Sequence, residues 1–191
     1  MLAMKPPKCK GCPLATKGGP YVPGWGNKAG RHIIIGEGPG SCEDGTCRCS
    51  SKAHHRLRPF VGASGRRLTT GLGGDYTEVY LTNIRKCQAK EETKAEKKES
   101  IAHCTAAYLS VELAEIDAAQ KAKRVTGAVV QPVGADATEV VMGNGKMMKM
   151  HGTCWTHAER DLMVDAVEHP LNYLEAVSDR DEPLPDDGIP F

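Results

Sequence analysis

A glycine-rich turn with a single carboxylate follows a run of three isoleucines at residues 33–35. Such a β-branched run is typical of a buried central strand. The turn has the sequence Gly36-Glu37-Gly38-Pro39-Gly40. Ligands in open α/β sheets bind beyond the carboxyl ends of the strands, so this turn should face the site. Its glycines let backbone N–H groups approach a ligand closely, and Glu37 is the first candidate for catalysis.

The same turn begins like a dinucleotide-binding fingerprint. That fingerprint requires a third glycine three residues after the second one. Ser41 stands at that position, and Pro39 interrupts the spacing. The pattern therefore disfavours a Rossmann phosphate loop.

Eight cysteines are a second candidate for chemistry. Cys9-x-x-Cys12 alone is compatible with zinc, a redox pair or half of a cluster site, and no nearby second CxxC or HxxxH supports a zinc ribbon. Cys87 follows a β-rich run, and Cys104 lies on an amphipathic stretch. The four thiolates could hold a [4Fe–4S] cluster, or Cys104 could be a small buried hydrophobic residue.

Apolar runs and helical periodicities alternate along the chain. The β-rich runs predict four strands, at residues 32–35, 79–84, 125–133 and 161–167. Helices are predicted at residues 66–72, 101–116, 135–142 and 171–177. Residues 8–30 are predicted to be loop, 88–98 solvated and 144–160 irregular. The alternation predicts an α/β fold, a three-layer α/β/α sandwich with a central four-stranded parallel sheet.

Length and composition favour one globular domain. The chain has 191 residues, a net charge of +1 and no apolar run long enough to span a membrane. We expect a domain at residues 1–177 and a disordered acidic tail at residues 178–191. The body is mildly basic, which fits nucleic-acid binding. Without a signal peptide, we expect a monomeric protein in the reducing cytoplasm, where cysteines favour metal ligation over disulfides.

Seven segments, taken in order, resemble the iron–sulfur uracil-DNA glycosylases, usually called family IV, of the uracil-DNA glycosylase superfamily. The resemblance covers about residues 8–177, and one of these segments alone is weakly specific whereas seven in order are not. The segments are Cys9-x-x-Cys12-Pro13-Leu14, residues 36–44, Pro59-Phe60-Val61-Gly62-x-Ser64-Gly65, Thr82-Asn83-Ile84-Arg85-Lys86-Cys87, Cys104 with Tyr108-Leu109, Val133-Gly134-Ala135-x-Ala137 and His169-Pro170.

The resemblance implies a uracil-DNA glycosylase-like fold and an enzyme of base excision repair. Such an enzyme hydrolyses the N-glycosidic bond of a uracil that has flipped out of DNA into a pocket. It implies that uracil-containing DNA is the substrate. It also implies that Cys9, Cys12, Cys87 and Cys104 ligate a [4Fe–4S] cluster.

The resemblance assigns the base-binding roles to four residues. Phe60 would stack on the flipped base, while backbone groups of Gly36 and Gly38 would line the pocket. Asn83 would read the Watson–Crick edge of the base, since an amide offers both a donor and an acceptor. Taken alone, Phe60 equally fits a core position and Asn83 a strand-end cap.

Two further residues would carry the catalysis. His169 would stabilise the negative charge that develops on the leaving uracil oxygen. Glu37 would hold a water or stabilise the electron-deficient sugar, and the resemblance does not decide between these tasks. Without the resemblance, His169 before Pro170 would be an ordinary turn residue.

Departures from the family pattern leave other functions open. Glycine stands at position 38 where the family normally has alanine, Glu168 precedes the histidine, and Leu171 follows the final motif. A non-catalytic DNA-binding or adaptor protein of the same fold is one alternative. A glycosylase for a modified pyrimidine is another.

Other basic and metal-binding side chains have two interpretations each. The loop between Asp44 and Pro59 is longer than the family needs, and it could bind zinc or touch DNA as a basic loop. The candidate zinc ligands in it are Cys47, Cys49, His54 and His55. Arg66, Arg67, Arg85 and Lys86 could contact phosphates, although a solvated face is the usual place for scattered basic residues.

The last residues, Asp186-Asp187-Gly188-Ile189-Pro190-Phe191, resemble the acidic C-terminal tip of bacterial single-stranded-DNA-binding proteins. That resemblance implies docking of Phe191 on replication or repair proteins, by capture of the terminal carboxylate. The alternative is an ordinary acidic tail.

Overall fold

The computed structural model describes residues 5–47, 57–70, 75–143, 154–157 and 162–165, the last two stretches by their backbone alone. A 3₁₀ turn at Pro7–Cys9 precedes five helices in these ranges. They are α1 (Leu14–Lys17), α2 (Ala63–Thr70), α3 (Lys94–Cys104), α4 (Ser110–Lys123) and α5 (Ala135–Met142). The strands are β1 (Trp25–Gly26), β2 (His32–Gly36), β3 (Val79–Asn83), β4 (Val129–Pro132), β5 (Cys154–His157) and β6 (Leu162–Asp165).

The strands form one mixed sheet in the order β1-β3-β2-β4-β6-β5. The four inner strands, β3, β2, β4 and β6, run parallel, and β1 and β5 pair antiparallel at the edges. The chain leaves β2 towards β3 on one side and later returns to β4 on the other. This reversal creates a crevice at the carboxyl end of β2, where Gly36 pairs with Asn83 of β3.

The isoleucine run alternates between two apolar clusters on opposite faces of the sheet. Ile33 and Ile35 pack in a cluster that includes Ile116 of α4 and Ala137 of α5. Ile34 packs in a second cluster, against which Leu68 of α2 also lies. Successive side chains of a strand point to opposite faces, so a strand covered on both sides must be apolar throughout.

The predicted centre of the fold is confirmed, and the errors lie at its edges. The four parallel strands coincide with the four predicted runs, and α5 ends at Gly143, whose φ of 67° is left-handed. The prediction of irregular structure at residues 144–160 was wrong at β5, and the predicted loop at residues 8–30 contains α1 and β1. β1 has only two residues, and β5, with the sequence Cys-Trp-Thr-His, has no continuous apolar run. The predicted helix at residues 171–177 lies outside the described residues.

The amphipathic helix is longer than its apolar pattern predicted. It begins at Lys94 rather than residue 101, because Thr93 and Glu96 form a reciprocal capping box. A π-helical segment, Thr105–Leu109, links α3 to α4. The apolar pattern at residues 101–116 predicted one helix across this segment, and it did not predict the extra residue per turn there. Within the described residues, no helix is both long and apolar enough to cross a membrane.

Replacing Thr93 with alanine should destabilise the protein by about 1 kcal/mol, because the N–H of Glu96 loses its acceptor. The measurement is the free energy of unfolding in urea. Lys98→Ala, at an exposed position of the same helix, is the matched control and should change that free energy by less than about 0.5 kcal/mol. Equal effects of the two substitutions would contradict the capping role.

Candidate active site

A cavity of about 470 Å³ opens at the carboxyl ends of β2 and β3, and we call it the strand-end cavity. Its lining includes five of the six predicted catalytic and base-binding residues: Gly36, Glu37, Gly38, Phe60 and Asn83. The structure thus brings together side chains from three separate sequence segments. The sixth predicted residue, His169, lies outside the described residues.

Gly36 is where the cavity wall is tightest. A Cβ atom at this position would lie 2.4 Å from Oδ1 of Asn83 and 2.9 Å from Cζ of Phe60. Any side chain would therefore push the amide and the ring apart. At Gly38 the nearest atom to such a Cβ is Nε of Arg85 at 3.6 Å, so an alanine would make ordinary contacts there.

The Phe60 ring is held by a strained backbone and a buried carboxylate. Phe60 has a φ of 61°, which is uncommon for a residue with a side chain. Its N–H donates to Oε1 of Glu43 at 2.5 Å, while Oε2 of Glu43 accepts from the N–H of Gly40 at 2.7 Å. A Cβ on Gly65 of α2 would lie 2.3 Å from the Phe60 backbone. Phe60 also packs on the apolar cluster of Ile34, so it is both a core residue and a cavity residue.

Sequence reasoning missed Glu43, which is 8% exposed. Burial raises the pKa of the Glu43 carboxyl, and the N–H groups of Gly40, Phe60 and Val61 oppose that rise. The spacing of Gly40 and Glu43 resembles a side-chain cap on the turn, which is the signal that could have found it. Its bond to Phe60 joins residues 17 apart and has no local sequence signal.

Asn83 is 4% exposed and presents an unsatisfied donor at the cavity. Its Nδ2 has no hydrogen-bond partner among the described residues. Buried polar groups in native proteins are nearly always hydrogen-bonded, since an unmade bond costs about 1–3 kcal/mol. Such a donor beside an aromatic ring is suited to a ligand that brings its own acceptor.

Glu37 stands at the cavity edge between two cations. Its Oε1 lies 2.8 Å from Nη2 of Arg85 and 3.0 Å from Nζ of Lys97. The other guanidinium nitrogen, Nη1, donates to both oxygens of Glu92 at 2.6 and 2.8 Å. Arg85 is therefore buried in an ion-pair network rather than exposed to DNA.

Lys86 is also internal, at 1% exposure. Its ammonium donates to Oγ1 of Thr82 at 2.5 Å and to Oε2 of Glu112 at 2.7 Å. Burial lowers the pKa of Lys86, and Glu112 opposes that effect. The prediction that Arg85 and Lys86 lie on a solvated face or contact phosphates was therefore wrong, because each is enclosed with its own carboxylate.

The four predicted cluster ligands surround a second, smaller cavity, the cysteine cavity. Cys9, Cys12, Cys87 and Cys104 all line it, and none is in a disulfide. Burial raises the pKa of Cys87 to about 11 and also raises the pKa of Cys104. Cys87 lines the strand-end cavity as well, so the two sites share a wall.

Four cysteines around one cavity can bind a single metal ion or a cluster. In the described ranges, no group of three or more His, Cys, Asp or Glu side chains is placed to hold a metal ion. The hydroxyl of Tyr108 lies 3.2 Å from Sγ of Cys9.

The predicted zinc site in the inserted loop loses one ligand. Cys47 is disulfide-bonded, so its sulfur is not a thiolate that could bind zinc. The expectation that the cysteines serve metals rather than disulfides was wrong at this position. Cys49, His54 and His55 lie outside the described residues.

A ligand cavity at the switch point of a largely parallel sheet, beside a four-cysteine cavity, defines a class of α/β proteins with a strand-end binding site. A family model described as the uracil DNA glycosylase superfamily matches residues 23–182. The chain belongs to the uracil DNA glycosylase superfamily.

Three relatives, each named type-4 uracil-DNA glycosylase, are similar to the chain. The protein from Archaeoglobus fulgidus is 36% identical over 83 residues, or 42% of this chain and 37% of that protein. The one from Thermotoga maritima is 39% identical over 84 residues, or 42% of this chain and 38% of that protein. The protein from Sulfurisphaera tokodaii is 28% identical over 177 residues, or 87% of this chain and 71% of that protein. The match thus spans under two fifths of the first two relatives.

Replacing Gly36 with alanine should destabilise the protein by about 1–3 kcal/mol, because the new methyl group overlaps Asn83 and Phe60. Gly40→Ala is the control, since a Cβ at Gly40 meets nothing within 4 Å. The measurement is the free energy of unfolding of both variants. If Gly36→Ala were as stable as Gly40→Ala, the tight packing around Gly36 would be refuted.

Proposed function

We propose that this protein is a DNA glycosylase that hydrolyses the N-glycosidic bond of uracil flipped out of DNA. The observation that carries the proposal is the buried Nδ2 of Asn83 at the strand-end cavity, which has no hydrogen-bond partner among the described residues. Uracil presents a carbonyl acceptor and an N–H donor on adjacent positions of its Watson–Crick edge. The Asn83 amide can donate to the first and accept from the second. Membership of the superfamily and the printed names of the relatives support the same substrate.

Stacking on Phe60 would compensate for the cost of flipping. Extruding a base from the duplex costs a few kcal/mol, and stacking on an aromatic side chain returns about 1–3 kcal/mol. The Phe60 ring approaches Gly36 and lines the cavity. A pyrimidine between this ring and the turn at residues 36–40 would also lie beside backbone N–H groups.

Catalysis is assigned to Glu37 and His169. Glu37 is held by two cations at the cavity edge, where its carboxylate can orient the attacking water or stabilise the positive charge that grows on the sugar. The water attacks the anomeric carbon, and the base leaves with the electrons of the glycosidic bond. His169, which lies outside the described residues, would stabilise the resulting charge on the uracil oxygen.

Cys9, Cys12, Cys87 and Cys104 fit a [4Fe–4S] cluster. They are four unoxidised thiols around one cavity, and they come from the N-terminal segment, the end of β3 and α3. Lys5 and Lys86 also line the cavity and can offset the negative charge of thiolate ligands. Glycosidic hydrolysis transfers no electrons, so a bound cluster would have a structural role. It would link the N-terminal segment to the end of β3.

The layers of the fold and the bounds of the domain are part of the same proposal. We place helices on both faces of the sheet as the three-layer sandwich of this superfamily, in a domain that reaches residue 177. The acidic tail at residues 178–191, its replication or repair partners and the cytoplasmic location stay predictions.

Asn83→Ala should lower kcat/KM for uracil release by about 100-fold, because the base loses its buried amide contact. The substrate is a labelled oligonucleotide with one uracil, and alkali-sensitive cleavage is the readout. A panel with cytosine and modified pyrimidines gives the base that is accepted. If the wild-type protein carries its cluster and binds this DNA but releases no base, the glycosylase proposal is refuted. That result would favour a DNA-binding adaptor protein.

Cys104→Ser should remove most of the iron and the visible absorption at about 400 nm that such a cluster gives. Cys42→Ser is the matched control, since Cys42 is also outside any disulfide but lines the strand-end cavity instead. It should keep the iron content of the wild type. Equal iron loss in both variants, or none in either, would contradict the assigned ligands.

A further inference from the structure

We propose that Lys97 is a positioning residue, which fixes the Glu37 carboxylate so that one of its oxygens faces the reacting sugar. The inference rests on the proposed function and adds residues that neither the motifs nor the superfamily match single out. It begins from an ion-pair relay that joins three elements. Nζ of Lys97, on α3, lies 3.0 Å from Oε1 of Glu37 and 2.6 Å from Oδ2 of Asp136. Asp136 lies in the first turn of α5.

The relay and Arg85 approach the same oxygen of Glu37. Nη2 of Arg85 and Nζ of Lys97 both contact Oε1. The nearest contact that each cation makes with Glu37 is thus to Oε1, and no described residue donates a hydrogen bond to Oε2. A carboxylate clamped through one oxygen presents the other in a fixed direction. That free oxygen is the atom that could hold a water or face the sugar.

The two cations around Glu37 differ in freedom. Arg85 has a side chain that is 8% exposed and is shared with Glu92, so its position is set by burial. Lys97 has a side chain that is 36% exposed, and a free lysine side chain has many rotamers. The position of Arg85 is fixed by burial, whereas the ammonium of Lys97 is held next to Glu37 by its ion pair with Asp136.

The charges of these residues also indicate that Asp136 holds Lys97 and that Lys97 in turn holds Glu37. The hydrogen bond to Asp136 is the largest cause that raises the pKa of Lys97, and Glu37 contributes further in the same direction. Lys97 thus stays cationic at neutral pH. Two cations and three carboxylates, Glu37, Glu92 and Asp136, make up the network. Surface pairs of this exposure contribute little to stability, so the main effect expected of Lys97 is on geometry.

Lys97→Met tests the inference, because it keeps the length of the side chain and removes its charge. We expect kcat for uracil release to fall by about 10-fold or more with KM within about twofold, since the reacting group and not the base contacts is disturbed. Lys97→Arg should restore most of kcat. Asp136→Asn should lower kcat by a smaller factor, because Lys97 keeps its charge and loses its anchor.

Lys98→Met, at an exposed position one residue along α3, is the control and should match the wild type. A Lys97→Met protein with wild-type kcat, or with lowered kcat that Lys97→Arg does not restore, would overturn the positioning role. If Lys97→Met lowered the thermal stability but not kcat, the ion pairs of Lys97 would only stabilise the packing of α3 and α5, and the positioning role would be wrong.

A second measurement does not depend on turnover. The ¹³C chemical shift of the Glu37 side-chain carboxylate, at one fixed pH, should differ between the wild type and Lys97→Met and stay unchanged in Lys98→Met. An unchanged shift in Lys97→Met would refute the contact itself. If the wild-type protein releases no uracil, the proposed function fails, and the carboxylate shift still tests the contact between Lys97 and Glu37.

Discussion

The geometry of the strand-end cavity depends on one buried carboxylate, that of Glu43. It accepts the N–H of Gly40 from the turn after β2 and the N–H of Phe60 from the loop before α2. Enclosing a carboxylate is costly, and hydrogen bonds from backbone N–H groups offset the cost. Because Phe60 is held at a φ of 61°, a conformation that costs of order 1–3 kcal/mol, the ring needs this second point of attachment. Glu43 thereby fixes the distance between the aromatic wall and the glycine wall.

Charge burial is the second constraint on this end of the sheet. Arg85 and Lys86 are consecutive and enclosed, and each is paired with carboxylates on a different side. An unpaired charge at such a depth would cost several kcal/mol. This is why these basic residues are not a phosphate-binding surface. Of their carboxylate partners, Glu92 lies in the stretch predicted only to be solvated, and Glu112 lies on the predicted amphipathic helix.

The parts of the fold that could be predicted are those that depend on the local sequence pattern. The isoleucine run at residues 33–35 and the glycine after α5 identify a central strand and a helix end by composition alone. The motif residues that line the strand-end cavity were predicted from the resemblance of the ordered motifs to the glycosylase family, not from local pattern. Three things could not be predicted. β1 has only two residues and β5 has no continuous apolar run, the π-helical segment lies inside a stretch that keeps helical spacing, and Glu43 and Lys97 contact partners distant in sequence.

Residues 82–87, at the end of β3 and just after it, form a stretch whose length is constrained by the structure. Thr82 and Lys86 meet Glu112, Asn83 faces the strand-end cavity, Arg85 holds Glu37, and Cys87 lines both cavities. An inserted or deleted codon in this stretch would move several of these side chains to the wrong partner at once. The stretch can therefore change by substitution but not in length, whereas an external loop tolerates both. Length conservation between residues 82 and 87 should be as diagnostic of a working site as the identity of any residue within it.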